Sequence, residues 1–126
     1  MKLTRHTPVA NSIGRVSADG IAVNGVHYTS SLIVSASAVI VDWQHPPLAA
    51  LDRAALAPAL DQSPELLLIG CGNQQGFVPT ALLADLAGAG IGIEVMTNDA
   101  ACRTYNVLLG EDRKVVAALM LSALAR

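Results

Sequence analysis

Residues able to do chemistry are few in this chain, and they gather in two places. The first is the loop Gly70-Cys71-Gly72-Asn73-Gln74-Gln75-Gly76. It follows an apolar run and precedes a helical one, where a dinucleotide-binding chain would carry GxGxxG with an acid about 20 residues on. Here Gln75 holds the place of the third glycine and Gly76 comes one late. The helix begins only near Pro79, too far along for its N-terminus to take a pyrophosphate directly. A βα loop that turns tightly on its glycines accounts for the same residues.

The second place is Ala100-Ala101-Cys102-Arg103-Thr104-Tyr105-Asn106. Arg103 and Asn106 are i, i+3 neighbours on a helix, and Asp99 lies four before Arg103 in the favourable acid-first order. A solvated ion pair and a Tyr covering a core edge would explain this cluster without function. In a parallel α/β sheet, however, ligand crevices lie at the carboxyl ends of strands. If the strands before these two segments are parallel neighbours, Gly70, Cys71, Gly72, Glu94, Cys102 and Arg103 share a rim. The glycine loop would then offer backbone N–H donors and Arg103 a fork for an anion.

Other constellations are absent or bland. Asp42 and His45 lie three apart, but a metal site needs further ligands and none is evident. His27 has no nucleophile near it in sequence and reads as a strand surface residue. GxSxG, HExxH, the P-loop and paired carboxylates do not occur. Cys71 and Cys102 form no CxxC and no zinc pattern, and only Arg103 offers a cation beside one of them. A redox pair would need their Cα atoms within about 7 Å. No catalytic residue, metal or cofactor is expected.

Composition narrows the partners. Among 126 residues, eight basic and ten acidic ones give a net charge of -2, and the basic ones are scattered. That is no electrostatic footprint for nucleic acid, and four aromatics make no stacking platform. Hydrophobic residues are 52% and charged residues 14%, with a mean hydropathy of +0.47. The apolar runs are nevertheless short of the roughly 20 residues that a spanning helix needs. Lys2 and Arg5 are followed by no apolar segment of a secretory signal, so a cytoplasmic protein is expected.

The elements that must hold these residues follow from turn chemistry and apolar spacing. Asn24-Gly25 between Ile21–Val23 and Val26–Tyr28 predicts a hairpin with a two-residue type I′ turn. Leu32–Val34 and Ala38–Trp43 read as two more strands. Pro46-Pro47 opens a helical segment with Asp52 as N-cap, kept short or kinked by Pro58. Glu65–Ile69 is a strand ending at Gly70. Pro79–Ala89 is a helix whose buried stripe is Leu82, Leu83, Leu86 and Ala87. Ile91–Met96 is a strand, and Thr97 or Asn98 caps a helix that runs to about Leu109 before Gly110. Lys114–Leu121 is the last strand. The alternation predicts a single α/β domain over residues 1–126 with parallel strands in its middle.

Several segments fall in a familiar order: Leu67-Leu68-Ile69-Gly70-Cys71-Gly72, Pro79, Gly90 to Thr97, Ala101 to Asn106, and Glu111-Asp112-Arg113. The Asn24-Gly25 hairpin and Trp43 fit as well. Over nearly its whole length the chain resembles the domain family that includes the mitochondrial complex I assembly factor three and the adipogenesis-associated domain protein. The resemblance implies one three-layer α/β domain around a mixed sheet of about five strands with one antiparallel, and Lys114–Leu121 is the candidate for that strand. It implies no catalytic role or cofactor. The mitochondrial members act through protein contacts, so the expected function is a non-enzymatic protein-interaction or assembly module with an unidentified protein partner. Arg103 and Tyr105 would be its anchors, with Asn106 beside them. The alternative is a small-molecule or anion binder, with or without catalysis, at the rim of Gly70–Gly72, Glu94 and the Arg103 helix. Asp112 stands where the family commonly has Gly, which bears on turn geometry.

Overall fold

The computed structural model describes residues 10–17 and 19–121. Two sheets form. The smaller contains β1 (Ile13–Ser17), β2 (Gly20–Val23) and β3 (Val26–Tyr28), each antiparallel to the next. The β2–β3 hairpin turns on Asn24 and Gly25 at φ 50° and 83°, as a type I′ turn requires. Ile21 faces Tyr28 and Val23 faces Val26 across it. Strand β1 carries no strand signal in the sequence. Its Gly14 and Arg15 break the apolar alternation, and the strand exists because β2 and a later helix clasp it.

The larger sheet runs in the order β5 (Val39–Ile40), β4 (Leu32–Ser35), β8 (Val115–Leu119), β6 (Leu66–Gly70), β7 (Gly92–Met96). Strands β8, β6 and β7 are parallel, whereas β4 is antiparallel to β8. The antiparallel member is therefore β4 and not the last strand. After β7 a long helix carries the chain back past β6, and a crossover of that kind delivers the next strand parallel.

Helix α1 (Ala57–Leu60) is a single turn, with Pro58 in its first turn where no N–H is needed. It starts later than expected from Asp52, whose Oδ1 accepts the Ala55 N–H in a preceding turn. Helix α2 (Thr80–Gly88) follows β6, and α3 (Asn98–Gly110) follows β7. The strand expected over Ala38–Trp43 shortens to Val39–Ile40. Asp42 takes a left-handed conformation at φ 54°, and the chain bends so that Trp43 enters the core. Asp112 likewise sits at φ 59° in the turn before β8, a conformation that suits glycine and that Asp tolerates.

Side chains alternate across the large sheet and build two cores. Leu68, Ala117 and Leu119 face α3 and the small sheet, with Ala101, Cys102, Tyr105, Ile21 and Val23. Leu67, Ile69, Val116 and Ala118 face α2 and the α1 segment, with Leu56, Leu82, Leu86 and Trp43. The apolar excess of the sequence is thus a sheet covered on both faces. Within α2, Leu82 and Leu86 are buried, but Ala87 is exposed and falls outside the expected stripe. Consequently Leu86→Ala should lower the unfolding free energy by about 2–5 kcal/mol. Ala87→Ser should change it by about 0.5 kcal/mol or less in a urea titration. Equal losses would contradict this placement of α2.

Candidate functional site

The carboxyl ends of β8, β6 and β7 lie side by side, and the loops that leave them diverge. After β6 the chain goes to α2 on one face, and after β7 to α3 on the other. Such a divergence is where open α/β sheets place ligand crevices. Gly70, Cys71 and Gly72 sit at this point. The Cys71 N–H donates to Met96 O at 2.9 Å, and the Met120 N–H donates to Gly70 O at 2.8 Å. Gly72 adopts φ 92° and its carbonyl accepts the Asn98 N–H at 2.8 Å.

Asn98, the first residue of α3, fastens these ends together. It is 7% exposed, and its Nδ2 donates to Met120 O at 2.8 Å. Its Oδ1 finds no N–H or O–H donor among the described residues. That oxygen lies where a Cβ on Gly70 would be, with a Leu119 methyl also close. Gly70 is therefore a glycine because the Asn98 carboxamide occupies the space beside its Cα. Sequence reading treated Asn98 only as an alternative cap. The cap is Thr97, whose side chain accepts the Ala100 N–H.

The other expected rim residues are placed differently. Arg103 is exposed and ion-paired with Asp99 one turn earlier, both side chains 68% exposed. A pair this open contributes a few tenths of a kcal/mol. Glu94 is exposed on β7, opposite Leu68. It stays open because α3 lies over β6 and β8 and leaves that face of β7 uncovered. Glu94 and Arg103 form no ion pair with each other.

Tyr105 and Asn106 hold the N-terminal strand. Tyr105 is fully buried, and its hydroxyl donates to Asn11 O at 2.7 Å. Asn106 Oδ1 accepts the Ile13 N–H at 3.0 Å, and its Nδ2 donates to Ile13 O at 2.6 Å. An amide that pairs with both backbone groups of one residue behaves as an added rung of sheet. These two side chains therefore join β1 and the segment leading into it to α3.

Both thiols are free. Cys71 is partly exposed and its Sγ donates weakly toward Gln74 O and Met96 O, each at 3.2 Å. Cys102 is buried, and burial together with the Asp99 charge pushes its thiol up to about 12. It is thus no thiolate at neutral pH. Among the described residues no group of three or more His, Cys, Asp or Glu could hold a metal ion. A groove at the opposite end of the sheet is lined by Ser37, Gln62, Arg113 and Lys114, and holds none of the rim residues.

Two features escaped sequence reading. Phe77, the single Phe, stands 82% exposed on the β6–α2 loop, and its signal was an aromatic residue in a stretch of Gly, Asn and Gln. Ser31 and His45 are hydrogen-bonded across fourteen positions, and no spacing rule links them. Burial also pushes the Tyr105 hydroxyl up to about 12. A group whose folded value is raised stabilises the fold below its unfolded value and loses that contribution as pH rises. Stability should hold to about pH 9, where an unfolded thiol ionises, and fall toward pH 12. The Cys102 share is up to about 1.4 kcal/mol per pH unit. Urea titrations across this range should show the fall, and Cys102→Ala should make it shallower. An unchanged slope in Cys102→Ala would contradict the assignment.

This arrangement has solved counterparts. A Xanthomonas campestris protein determined by NMR superposes with a TM-score of 0.84 at 33% identity, covering 96% of this chain and 92% of that one. An outer membrane protein from Bartonella henselae gives a TM-score of 0.76 at 30% identity, with 91% and 98% covered. The 13 kDa major membrane protein of Francisella tularensis is 34% identical over 90 residues, 70% of this chain and 72% of that protein. The expected resemblance is borne out by a family model described as a protein of unknown function (DUF498/DUF598), which matches residues 13–120, and the chain belongs to that family.

Proposed function

We propose that the chain is a cytoplasmic protein-docking module of the assembly-factor kind, whose docking surface is the carboxyl end of the large sheet. The observation that carries this reading is Phe77. A loose aromatic side chain would say little, but this one is displayed from a fixed loop. Val78 next to it is buried, and Gly76 lies against Leu48 so closely that a Cβ there would strike it. Gln75 Nε2 donates to Val95 O at 3.1 Å and ties the loop to β7. An aromatic anchor held ready loses little freedom on binding, and such residues dominate interface energies. Gly70–Gly72 set the start of the loop, and Glu94 and the Asp99–Arg103 pair supply a polar rim.

The anion-binding alternative has less support. Asp99 already engages Arg103, and Thr97 already caps α3. Among the described residues no helix is long and apolar enough to cross a membrane. The membrane association in the names of the Francisella and Bartonella relatives fits docking on a membrane-bound protein partner. The scattered charge argues against nucleic acid as that partner.

Because Phe77 is exposed, Phe77→Ala should leave the unfolding free energy within about 0.5 kcal/mol of wild type. It should weaken partner capture about tenfold or more, the effect of losing one interface anchor. A photo-crosslinking residue at position 77 should give a defined adduct in cells, and one at Val107, exposed on α3, should not. Full retention of every partner by folded Phe77→Ala would contradict the proposal.

A further inference from the structure

Ser31 lies immediately before β4, and His45 lies in the extended segment after β5. The Asp42 bend and two bonds of Trp43 bring them together. The Trp43 N–H donates to Ser31 O at 2.8 Å, and its indole N–H donates to Ala55 O at 2.8 Å. With Trp43 so anchored, the His45 ring rests 4.3 Å from it, tilted by 42°. His45 Nδ1 is 2.8 Å from Pro46 O. A carbonyl only accepts, so Nδ1 carries the proton and Nε2 presents its lone pair. That lone pair faces Ser31 Oγ at 2.9 Å. Ser31 Oγ also accepts the Leu121 N–H at 3.0 Å, which favours its anionic form.

Nucleophile, base and an orienting acceptor on the base thus stand in order, which is how acyl-transfer sites activate serine. The pair sits at the functional end of the sheet. Leu121 follows Met120, which Asn98 and Gly70 hold. Ser31 is 9% exposed and His45 partly exposed, so the pair lies at the edge of the packed interior.

We propose that Ser31 is an activated nucleophile with His45 as its general base, and that it accepts short acyl groups from carboxylic esters. Ser31 Oγ bonds to the ester carbonyl carbon while its proton passes to His45 Nε2 and the carbonyl π pair moves to oxygen. Collapse breaks the carbon–alkoxy bond, and the alkoxide leaves as alcohol with the His45 proton. Water then repeats the sequence on acyl-Ser31 and releases the carboxylic acid. Because Ser31 is only 9% exposed, a small acyl group is the kind that can approach it.

This goes beyond the docking role and does not depend on it, because its test uses the isolated chain. The probe is an alkyl fluorophosphonate, in which Ser31 Oγ would displace fluoride at phosphorus. Folded wild type should gain one phosphonyl group, which peptide mapping places on Ser31, while the urea-unfolded chain gains none. Ser31→Ala should abolish labelling, and His45→Gln should slow it about 100-fold, the scale of a lost general base. Hydrolysis of p-nitrophenyl acetate should fall in parallel. If His45→Gln does not fold, labelling of wild type before and after unfolding decides the matter. No adduct on folded wild type, an adduct elsewhere, or equal labelling of folded His45→Gln would overturn the proposal and leave the pair a structural clamp.

Discussion

The Asn98 carboxamide is the point on which the arrangement turns. Three parallel strands end together, and the carbonyls of Met120 and Gly72, just beyond two of them, both accept from Asn98. Asn98 donates through its side chain to Met120 O after β8 and through its backbone to Gly72 O after β6. It opens α3 directly after β7. One residue therefore joins all three strand ends, and its oxygen dictates that position 70 be glycine. A buried polar group of this kind costs free energy unless satisfied, and here the Nδ2 side donates to Met120 O while Oδ1 meets no N–H or O–H donor among the described residues.

The docking surface proposed above starts from that fixed end. The β6–α2 loop leaves a rigid Gly70–Gly72 segment, is tied again at Gln75 and Val78, and shows Phe77 to solvent. The same end holds Leu121 against Ser31. Charge contributes little to either feature. Among the described residues the three ion pairs between side chains, Arg53–Asp85, Asp99–Arg103 and Glu65–Arg113, are all solvent-exposed. Buried hydrogen bonds and apolar packing, not surface electrostatics, organise this chain.

Much of the fold was legible in the sequence because local chemistry decides it. Asn24-Gly25 specified its turn, the Leu82 and Leu86 spacing its helix, and the apolar run ending at Gly70 its strand, whereas the apolar run Ala38–Trp43, which reads as a strand covered on both faces, is only the half-buried edge strand Val39–Ile40. The direction of the last strand was not legible, since a strand reads alike in both directions and only the α3 crossover sets it. Strand β1 was hidden for a related reason. Besides β2 it is held by the Asn106 side chain on Ile13 and by the Tyr105 hydroxyl on Asn11 just before it, both more than ninety positions away. Those two residues looked like site residues because polar and aromatic groups on a helix carry no mark of what they face. Asn98, Phe77 and the Ser31–His45 pair gain their meaning from neighbours that only the tertiary structure supplies.

The most direct measurement is a double-mutant cycle between Asn98 and Gly70, read as unfolding free energies in urea. Gly70→Ala forces a Cβ onto the Asn98 oxygen in the wild-type background. In Asn98→Ala that oxygen is gone and the nearest neighbour of the new Cβ is a flexible Leu119 methyl. The two substitutions should therefore be non-additive, with Gly70→Ala costing at least about 1 kcal/mol less once Asn98 has been truncated. Additive losses would mean that the carboxamide does not organise the strand ends, and the account built on it would fail.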